Sequence, residues 1–307
     1  MAASPTLKKS LFSILSSSLL TLCATVAIIF IPSAIGSDDT TVAESIKEST
    51  EGIKIETTKL SIEAANPVAT PSIDATKFSI KAASPAVVSS IETTEPIVFN
   101  ADYKASIKGF AVSANRTLKR LDNGQLELLF TATSWAANLE ESSIFEWNKG
   151  QIQPLSYRFH QSAFGKKRQR TLSFNTDQNT ISSDNDGDIR VIEQTTHTLD
   201  TLNYQLQLQQ DLIANKRDLQ YIVANKGNLK KYRFEPQGEE VIETNFGSLN
   251  TVKVKVIREG KNKTTYIWFA KNWGYLLARL EQYNGDKQTL SINLDTATVD
   301  GITVTGG

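Results

Sequence analysis

Sulfur and histidine are almost missing from this chain of 307 residues, which has one cysteine, one methionine and two histidines. A single cysteine cannot form an intramolecular disulfide or a zinc–thiolate site. Nucleophilic hydrolysis needs a Ser, Cys or Thr beside a base, and the histidine bases, His160 and His197, lie in strand-like runs of Gln, Ser and Thr. We therefore expect no metal, no cofactor and no catalytic residues, in a protein that is not an enzyme.

An excess of charge of either sign is also missing, because 33 Lys and Arg balance 33 Asp and Glu. A chain of zero formal net charge lacks the basic character that is typical of nucleic-acid binding. Hydrophobic residues make up 40% of the chain and charged residues 21%, as in ordinary globular proteins. These proportions exclude a polytopic membrane protein, and we do not expect nucleic acid as a partner.

The N-terminal segment has the pattern of an export signal. Lys8–Lys9 precede a charge-free run over Leu11–Ile31, and small residues follow at Ala34 and Gly36. A positive start, an apolar run and a small-x-small pair are the features that signal peptidase recognises. The sequence predicts that residues 1–36 are a signal peptide and that the protein is periplasmic.

The alternative is an uncleaved membrane anchor. The charge-free run exceeds the ~7–15 residues of a typical signal core, and ~20 apolar residues can span a bilayer. An anchor over residues 10–32 would leave the rest of the chain in the periplasm and would be its contact with the membrane. A cytosolic protein whose N-terminus is hydrophobic by chance is the third interpretation.

Residues 37–96 differ in composition from the rest of the chain. They are rich in Thr, Ser, Ala and Pro, and Thr58–Pro67 is similar to Thr76–Pro85, which lies 18 residues further on. A repeat this short, broken by prolines, has too little apolar surface to offset the entropy of ordering it. We predict a low-complexity, disordered linker, with a binding stretch for an envelope partner as the alternative.

From Ile97 onwards, apolar and polar residues alternate in short runs closed by turn signals, which indicates β-strands. Asn123–Gly124 is the strongest hairpin signal among them. The pattern predicts about ten strands in a β domain over residues 97–300, followed by a flexible tail over 301–307. The runs include Tyr103–Ile107, Leu126–Phe130, Leu155–Phe159, Ile189–Val191, Tyr232–Phe234, Val252–Val256, Tyr266–Trp268 and Leu290–Leu294.

One segment does not show this alternation of apolar and polar residues. Leu199, Leu202, Leu206 and Ile213 recur at helical spacing. The spacing predicts a helix over 200–215, which Asp200 can cap. A long antiparallel sheet must curl, close or be covered, because open edges aggregate. We therefore predict a mainly β fold, a strongly curved antiparallel sheet or open β-barrel with one central helix.

Short motifs spread over Tyr103–Leu294 form a recognisable set. They are Tyr103, Gly109, Gly150–Tyr157, Asp200–Leu202, Leu206, Tyr232–Phe234, Gly238–Val241, Thr244–Gly247, Trp268–Ala270, Leu276–Leu277 and Asn284–Gly285. Together these motifs resemble a proteobacterial family known as domain of unknown function 3108, DUF3108. The resemblance implies an exported, mainly β protein of cell-envelope type, without catalytic residues to transfer.

Large aromatic residues recur along the predicted strands. They fill a barrel core in one interpretation, and in the other they line a cavity for an apolar ligand. Alternation alone does not decide between a filled and a hollow barrel. The predicted ligand-binding residues are Trp135, Trp147, Tyr157, Phe159, Tyr266 and Trp268.

Two charged clusters have an ordinary structural interpretation beside a functional one. Asp184–Asp188 resembles a calcium loop, but glycine is fourth and the acidic spacing of an EF-hand is absent, which favours a tight turn. Lys166–Arg170 is basic and can face anionic lipid or polysaccharide. A solvated loop and edge strand is the structural alternative, because Lys on an edge blocks pairing.

These features favour a monomeric, exported envelope protein that binds a lipid, a glycolipid or another apolar ligand without catalysis. A structural or assembly protein that recognises an envelope protein through its sheet edge is the second hypothesis. An envelope hydrolase is the third.

Overall fold

The computed structural model describes residues 95–194, 196–257 and 263–307, which form a sheet of 16 strands and one α-helix. The helix α1 (Asn203–Ile213) lies between β9 and β10. The strands are β1 (Phe99–Ile107), β2 (Phe110–Arg120), β3 (Leu126–Ser134), β4 (Ala137–Asn148), β5 (Gln151–Ala163), β6 (Lys166–Asn175), β7 (Thr180–Asn185), β8 (Asp188–Glu193), β9 (Thr198–Leu199), β10 (Leu219–Asn225), β11 (Asn228–Thr244), β12 (Gly247–Ile257), β13 (Lys263–Ala270), β14 (Leu276–Asn284), β15 (Lys287–Val299) and β16 (Ile302–Thr303).

The sheet is built from consecutive antiparallel hairpins. It runs in the order β8 to β1, then β15 down to β9, so that β1 pairs with β15 and joins the two halves. The short β9 is parallel to β10. The sheet ends at β8 on one side and at β9 on the other, so it is not closed.

The fold is mainly β, as predicted, but the prediction of about ten strands is wrong. The missed strands are β2, β7, β10 and β14 and the two-residue strands β9 and β16. Such strands lack the clean apolar alternation that reveals a half-buried strand. The predicted signal peptide over 1–36 lies outside the described residues, as does the predicted linker over 37–96 apart from its last two residues.

Alternation correctly identifies the inner face of the best-defined strands. Tyr103, Ala105 and Ile107 are buried along β1. Their partners on β15 are Leu294, Ile292 and Leu290, which are buried as well. Because successive side chains of a strand point to opposite faces, these pairs form one apolar surface inside the curved sheet.

The helix α1 is buried inside this surface, and its glutamines bind turn carbonyls. Gln207 Nε2 donates to Gly150 O at 3.1 Å, and Gln209 Nε2 donates to Gly274 O at 2.7 Å. The helix is therefore central, as predicted. It is two to three residues shorter at each end than the predicted range 200–215, and Ile213 is exposed rather than part of the apolar stripe.

Aromatic rings surround Tyr204 of α1. Its ring centroid lies 5.2 Å from that of Tyr232 and 5.9 Å from that of Phe234, and Tyr221 is 6.5 Å away. All four side chains are buried. Together with the other inward side chains they pack between α1 and the sheet.

The C-terminal residues 301–307 are docked on the sheet, so the prediction of a flexible tail is wrong. β16 pairs with β15, Val304 is buried, and Gly306 N donates to Phe246 O at 3.0 Å. Gly306 lies so close to Gly247 that a Cβ on Gly306 would stand 2.2 Å from the Gly247 carbonyl carbon. The two glycines permit this close approach.

Candidate functional site

Half of the turns of the sheet gather at one end. Apart from the short β9, neighbouring strands of the sheet are antiparallel, so every second turn lies at the same end. We call this the upper end, and it holds the turns at 108–109, 135–136, 164–165, 186–187, 226–227 and 285–286. The opposite, lower end holds the turns at 149–150 and 271–275 that bind α1.

Two aromatic side chains protrude from neighbouring turns at the upper end. Trp135 is 77% exposed and Phe164 is 40% exposed. Their rings meet edge to face, with centroids 6.0 Å apart. Phe164 has a φ of 48°, a left-handed conformation that is uncommon for a bulky residue. Phe164 is thus held outside the core beside Trp135, and such exposed apolar pairs mark interaction surfaces.

Basic residues follow this pair directly on β6. Lys166, Lys167 and Arg168 are all exposed, and none of them forms an ion pair with a residue that the structure describes. β6 lies between β5 and β7, so it is not an edge strand. The interpretation of these residues as a device that blocks edge pairing is therefore wrong.

A groove of about 710 Å³ opens beside the aromatic pair. Most of its lining residues point to the outer face of β3 to β6 by strand alternation. Hydroxyl, amide, imidazole, carboxylate and basic groups are all present, so the groove can hydrogen-bond a polar ligand. The lining consists of Thr131, Thr133, Asn138, Leu139, Glu140, His160, Gln161, Ser162, Lys167, Arg168, Gln169 and Asp186.

The two histidines lie apart in different surroundings. His160 lines the outer groove opposite Glu140. His197 Nε2 lies 2.6 Å from the carbonyl oxygen of Ile152, so this ring anchors the segment before β9 to β5. Neither position brings a histidine beside a hydroxyl nucleophile through a hydrogen bond that the described residues show.

Buried acidic groups lie on the inner side of the same strands. Tyr157 OH donates to Glu141 Oε2 at 2.6 Å, and Ser143 Oγ donates to Asp200 Oδ2 at 2.6 Å. Burial raises the pKa of Glu141 to about 7 and that of Asp200 to about 6. The other Asp200 oxygen accepts the backbone N–H groups of Leu202 and Asn203, each at 2.8 Å, so Asp200 holds the turn that leads into α1, whose N-cap position is Leu202 rather than Asp200.

The six aromatic residues predicted to bind a ligand do not line one cavity. Tyr157 and Phe159 are buried on the inner face, and Trp147 packs partly buried against the core. Trp135 is exposed on its turn.

Tyr266 and Trp268 lie on the outer face of β13, far from a shared cavity. Lys253 Nζ lies 4.9 Å and 4.8 Å from their ring centroids. Trp268 is nevertheless buried, since it packs within the core cluster and Lys253 and Arg279 lie over its ring. Of the six, Trp135 alone adjoins the groove.

Sequence reasoning missed Phe164 and Asp186 as parts of this surface. The signal for Phe164 is the Phe164–Gly165 pair between two strand-like runs, because a two-residue hairpin turn exposes its residues. The Asp184–Asp188 segment is a tight turn, as expected, in which Gly187 N donates to Asp184 Oδ1 at 2.8 Å.

Residues 114–291, more than half of the chain, match the family described as "Protein of unknown function (DUF3108)". The chain belongs to the DUF3108 family. This confirms the resemblance drawn from the sequence motifs, and the matched residues run from β2 into β15. They include the groove and both turns of the aromatic pair.

The DUF3108 chain is also similar to a solved structure. This is the crystal structure of a β-barrel-like protein of domain of unknown function DUF1849 from Brucella abortus, with 7% sequence identity and a TM-score of 0.45. The similarity covers 66% of this chain and 98% of that one. Comparison with curated proteins finds no match.

In the described part of this DUF3108 chain, no helix is long and apolar enough to cross a membrane. Its described residues also contain no group of three or more His, Cys, Asp or Glu placed to hold a metal ion.

Proposed function

We propose that this chain is an exported cell-envelope protein whose β domain binds an anionic lipid or glycolipid at the upper end, without catalysis. The observation that carries the proposal is the exposed Trp135–Phe164 pair beside Lys166, Lys167 and Arg168. We call these five residues and the adjoining groove the upper-end surface.

The aromatic pair suits the boundary between lipid and water. Trp combines an apolar ring system with a polar N–H group, which is why it concentrates at membrane interfaces. Trp135 and Phe164 extend from two adjacent hairpin turns, so both rings can enter a headgroup layer without any change in the sheet. Because both rings are exposed to water, they contribute little to the stability of the fold.

The basic residues add attraction to a negative surface. Each Lys or Arg near an anionic membrane contributes about 1 kcal/mol, an effect that salt screens. Lys166, Lys167 and Arg168 follow Phe164 within four residues. They are therefore placed to contact headgroups when the aromatic pair contacts the interface.

The groove provides room for the polar part of such a ligand. At about 710 Å³ it falls within the range of small-molecule sites. Its side chains are mostly hydrogen-bonding groups, whereas an acyl chain prefers an apolar lining. The headgroup or sugar of the ligand would lie in the hydrogen-bonding groove. Its apolar part would then contact the aromatic pair at Trp135.

Binding to vesicles tests this proposal. The full chain should sediment with phosphatidylcholine vesicles that contain phosphatidylglycerol more strongly than with phosphatidylcholine alone. The double variant Trp135→Ala/Phe164→Asn should lose about tenfold in affinity or more, since each buried aromatic side chain contributes about 1.5–3 kcal/mol. Asn suits the left-handed position of Phe164.

The matched control removes exposed apolar side chains elsewhere. Val241 and Ile302 are 60% and 63% exposed and lie away from the upper end. Val241→Ala/Ile302→Ala should leave vesicle binding unchanged. Equal losses in both double variants, or no loss in the first, would overturn the proposal.

Export is the second part of the proposal, and the sequence of the mature N-terminus tests it. The N-terminal pattern over residues 1–36 supports a periplasmic location. A mature chain that begins at Ser37 would identify a cleaved signal, and an intact N-terminus in the membrane fraction would identify an anchor over residues 10–32. Full-length protein in the cytosol would contradict both.

The absence of catalysis is a proposal as well. It rests on the separation of His160 and His197, one in the groove and one bonded to the β5 backbone. Neither the wild type nor His160→Gln should turn over an envelope ester or glycan substrate. A turnover that His160→Gln abolishes would establish an enzyme instead.

An assembly function through the sheet edge is the second candidate, and β8 favours it. Ile189 and Val191 are each 69% exposed on this edge strand. Exposed edge strands can accept a strand from another chain. Replacing Val191 with Pro should abolish a partner captured in this way without affecting vesicle binding, because Pro removes a backbone donor.

A further inference from the structure

The floor of the outer groove consists of two rows of polar side chains, which we call the polar ladders. Each ladder joins residues that are register partners from one strand to the next across β3 to β6. The first ladder is Thr131, Glu140, His160 and Gln169, and the second is Thr133, Asn138, Ser162 and Lys167. All eight residues line the groove. Neighbouring strands lie about 4.8 Å apart, so each ladder extends for about 14 Å across the sheet.

The side chains of the polar ladders do not bond to one another. No hydrogen bond or ion pair joins any of these eight side chains to a residue in the described part of the chain. The outer face of β1 and β2 is different. There, Asn115 Nδ2 donates to Asp102 Oδ1 and Thr117 Oγ1 donates to Asn100 Oδ1, each at 2.8 Å. The ladders thus keep their donors and acceptors available to a ligand, whereas polar side chains elsewhere on the outer face satisfy each other.

Charges of both signs surround the ladders and balance each other. Lys167 and Arg168 are the cations of the groove, and Glu140 and Asp186 are its carboxylates. Asp186 Oδ1 also accepts the backbone N–H of Gln169 at 2.7 Å, which holds the β7–β8 turn at the end of the first ladder. The groove therefore carries no net formal charge.

The other two carboxylates of the β7–β8 turn already have partners in it. Asp184 Oδ1 accepts the Gly187 N–H at 2.8 Å, and Asp188 is paired with Arg190 at 2.8 Å. Neither residue lines the groove. They consequently do not change the balance of charge that a ligand meets there.

Sugar hydroxyl groups match this mixture of donors and acceptors. A hydroxyl both donates and accepts, so it can bond to the donor-only Lys167, to the acceptor-only Glu140 and to the hydroxyl and amide groups between them. A phosphate group that is fully ionised offers acceptors alone, and the carboxylates of Glu140 and Asp186 would repel it. The groove is thus suited to a neutral ligand with many hydroxyl groups rather than to a small oxyanion.

The aromatic pair adjoins the second ladder. Thr133 and Asn138 of this ladder flank the turn that carries Trp135, and Lys167 lies three residues after Phe164. The face of an aromatic ring is negative, so it attracts the weakly positive C–H groups on the apolar side of a sugar ring. An exposed ring beside a row of hydrogen-bonding groups therefore offers both surfaces that a sugar needs.

We propose that the polar ladders bind a short neutral oligosaccharide, whose hydroxyl groups bond to the ladder side chains and whose terminal ring packs on Trp135. As the glycan of a membrane glycolipid, this assignment rests on the proposed function and narrows its ligand to a glycolipid. As a saccharide site it stands on the groove alone.

An array of immobilised neutral oligosaccharides from bacterial envelopes, probed with the full chain, tests the site. Calorimetric titration with the sugar that binds best then gives the affinity. Asn138→Ala/Gln169→Ala removes one exposed amide from each ladder without changing the charge of the groove. This double variant should bind the sugar about tenfold more weakly, because it loses two hydrogen bonds to the ligand.

The matched control removes the same two kinds of amide from other strands. Asn250 of β12 and Gln220 of β10 are exposed and lie outside the groove. Asn250→Ala/Gln220→Ala should leave the affinity for the sugar within about twofold of the wild type, because neither amide contacts the ligand. Equal losses in the two double variants, or no loss in Asn138→Ala/Gln169→Ala, would overturn the site.

Vesicles separate the fate of this site from that of the proposed function. Asn138→Ala/Gln169→Ala should sediment with vesicles that contain phosphatidylglycerol as strongly as the wild type does, because its charges and its aromatic pair are intact. Wild-type protein that binds no sugar of the array would contradict the saccharide site even if it binds these vesicles. Sugar binding without vesicle binding would keep the site and contradict the membrane contact of the proposed function.

Discussion

The two ends of the sheet differ in how their polar and apolar groups are used. At the lower end, α1 fills the interior, and Gln207 and Gln209 bind the carbonyls of the turns. At the upper end, Trp135 and Phe164 extend into solvent, and Lys166 and Lys167 form no ion pair with a described residue. One end is thus built for stability, whereas the other keeps apolar and cationic groups without partners, as binding surfaces do.

The largest expected effect on stability lies at the filled end. Tyr204 is buried and in ring contact with Tyr221, Tyr232 and Phe234. Tyr204→Ala should lower the free energy of unfolding by about 3–5 kcal/mol, because it leaves a cavity in the core. Urea titration measures this loss, and Tyr204→Phe, which keeps the ring, should lose much less. A small effect of Tyr204→Ala would mean that α1 is not the support of the fold.

Glu141 should make stability depend on pH. Burial raises its pKa to about 7 from 4.5, so its stabilising contribution is full below pH 4.5 and is lost as the pH rises through 7. Glu141→Gln mimics the protonated form and still accepts the Tyr157 hydroxyl. The variant should gain on the order of 2–3 kcal/mol relative to the wild type between pH 4.5 and pH 8.

Unfolding free energies at these two pH values measure the gain. Glu140→Gln is the matched control, since Glu140 is the next residue on the exposed outer face. It should leave the pH profile unchanged. If Glu141→Gln follows the wild-type profile as well, the Glu141 carboxyl is not held protonated in the fold.

The turn that leads into α1 should have a smaller effect. Asp200 accepts two backbone N–H groups and the Ser143 hydroxyl. Asp200→Asn keeps a carbonyl oxygen for the backbone N–H groups, whereas Asp200→Ala removes it. At pH 8, Asp200→Ala should be less stable than Asp200→Asn by about 1 kcal/mol. Equal unfolding free energies for the two variants would show that the side chain does not hold this turn.

The smallest effect on stability is expected at the upper end. Trp135→Ala/Phe164→Asn removes two exposed rings, so the free energy of unfolding should change by less than about 1 kcal/mol. The same variant should lose vesicle binding, so stability and binding separate at this end. A loss of several kcal/mol would make the pair part of the core and would remove the contrast between the ends.

Alternation predicts a strand face well where one face is clearly apolar. It places Tyr103, Ala105 and Ile107 correctly on the inner face of β1. It fails on β13, where Tyr266 and Trp268 alternate with Ile267 and Phe269 and both faces are apolar. On such a strand the period of two does not say which face is inside, and Trp268 is buried in the core cluster with Lys253 and Arg279 also near its ring.

The candidate site was only partly predictable for a different reason. The basic run Lys166–Arg170 is visible in the sequence, but its role depends on the position of β6 within the sheet. The Trp135 ring meets that of Phe164 from a different turn of the chain. Such contacts arise from strand order, which a single sequence does not specify, whereas the turns themselves follow from local Gly, Asn and Asp residues.

Quenching of tryptophan fluorescence by brominated lipid tests the central claim most directly. Residues 1–96 contain no tryptophan, so insertion of the N-terminal segment cannot produce the signal. Vesicles of brominated phosphatidylcholine and phosphatidylglycerol should quench the emission of the full chain. Trp135→Phe, which keeps an aromatic ring at the tip, should still sediment with the vesicles but lose most of the quenching. Quenching that persists unchanged in Trp135→Phe, or none in the wild type, would contradict membrane contact through the upper end.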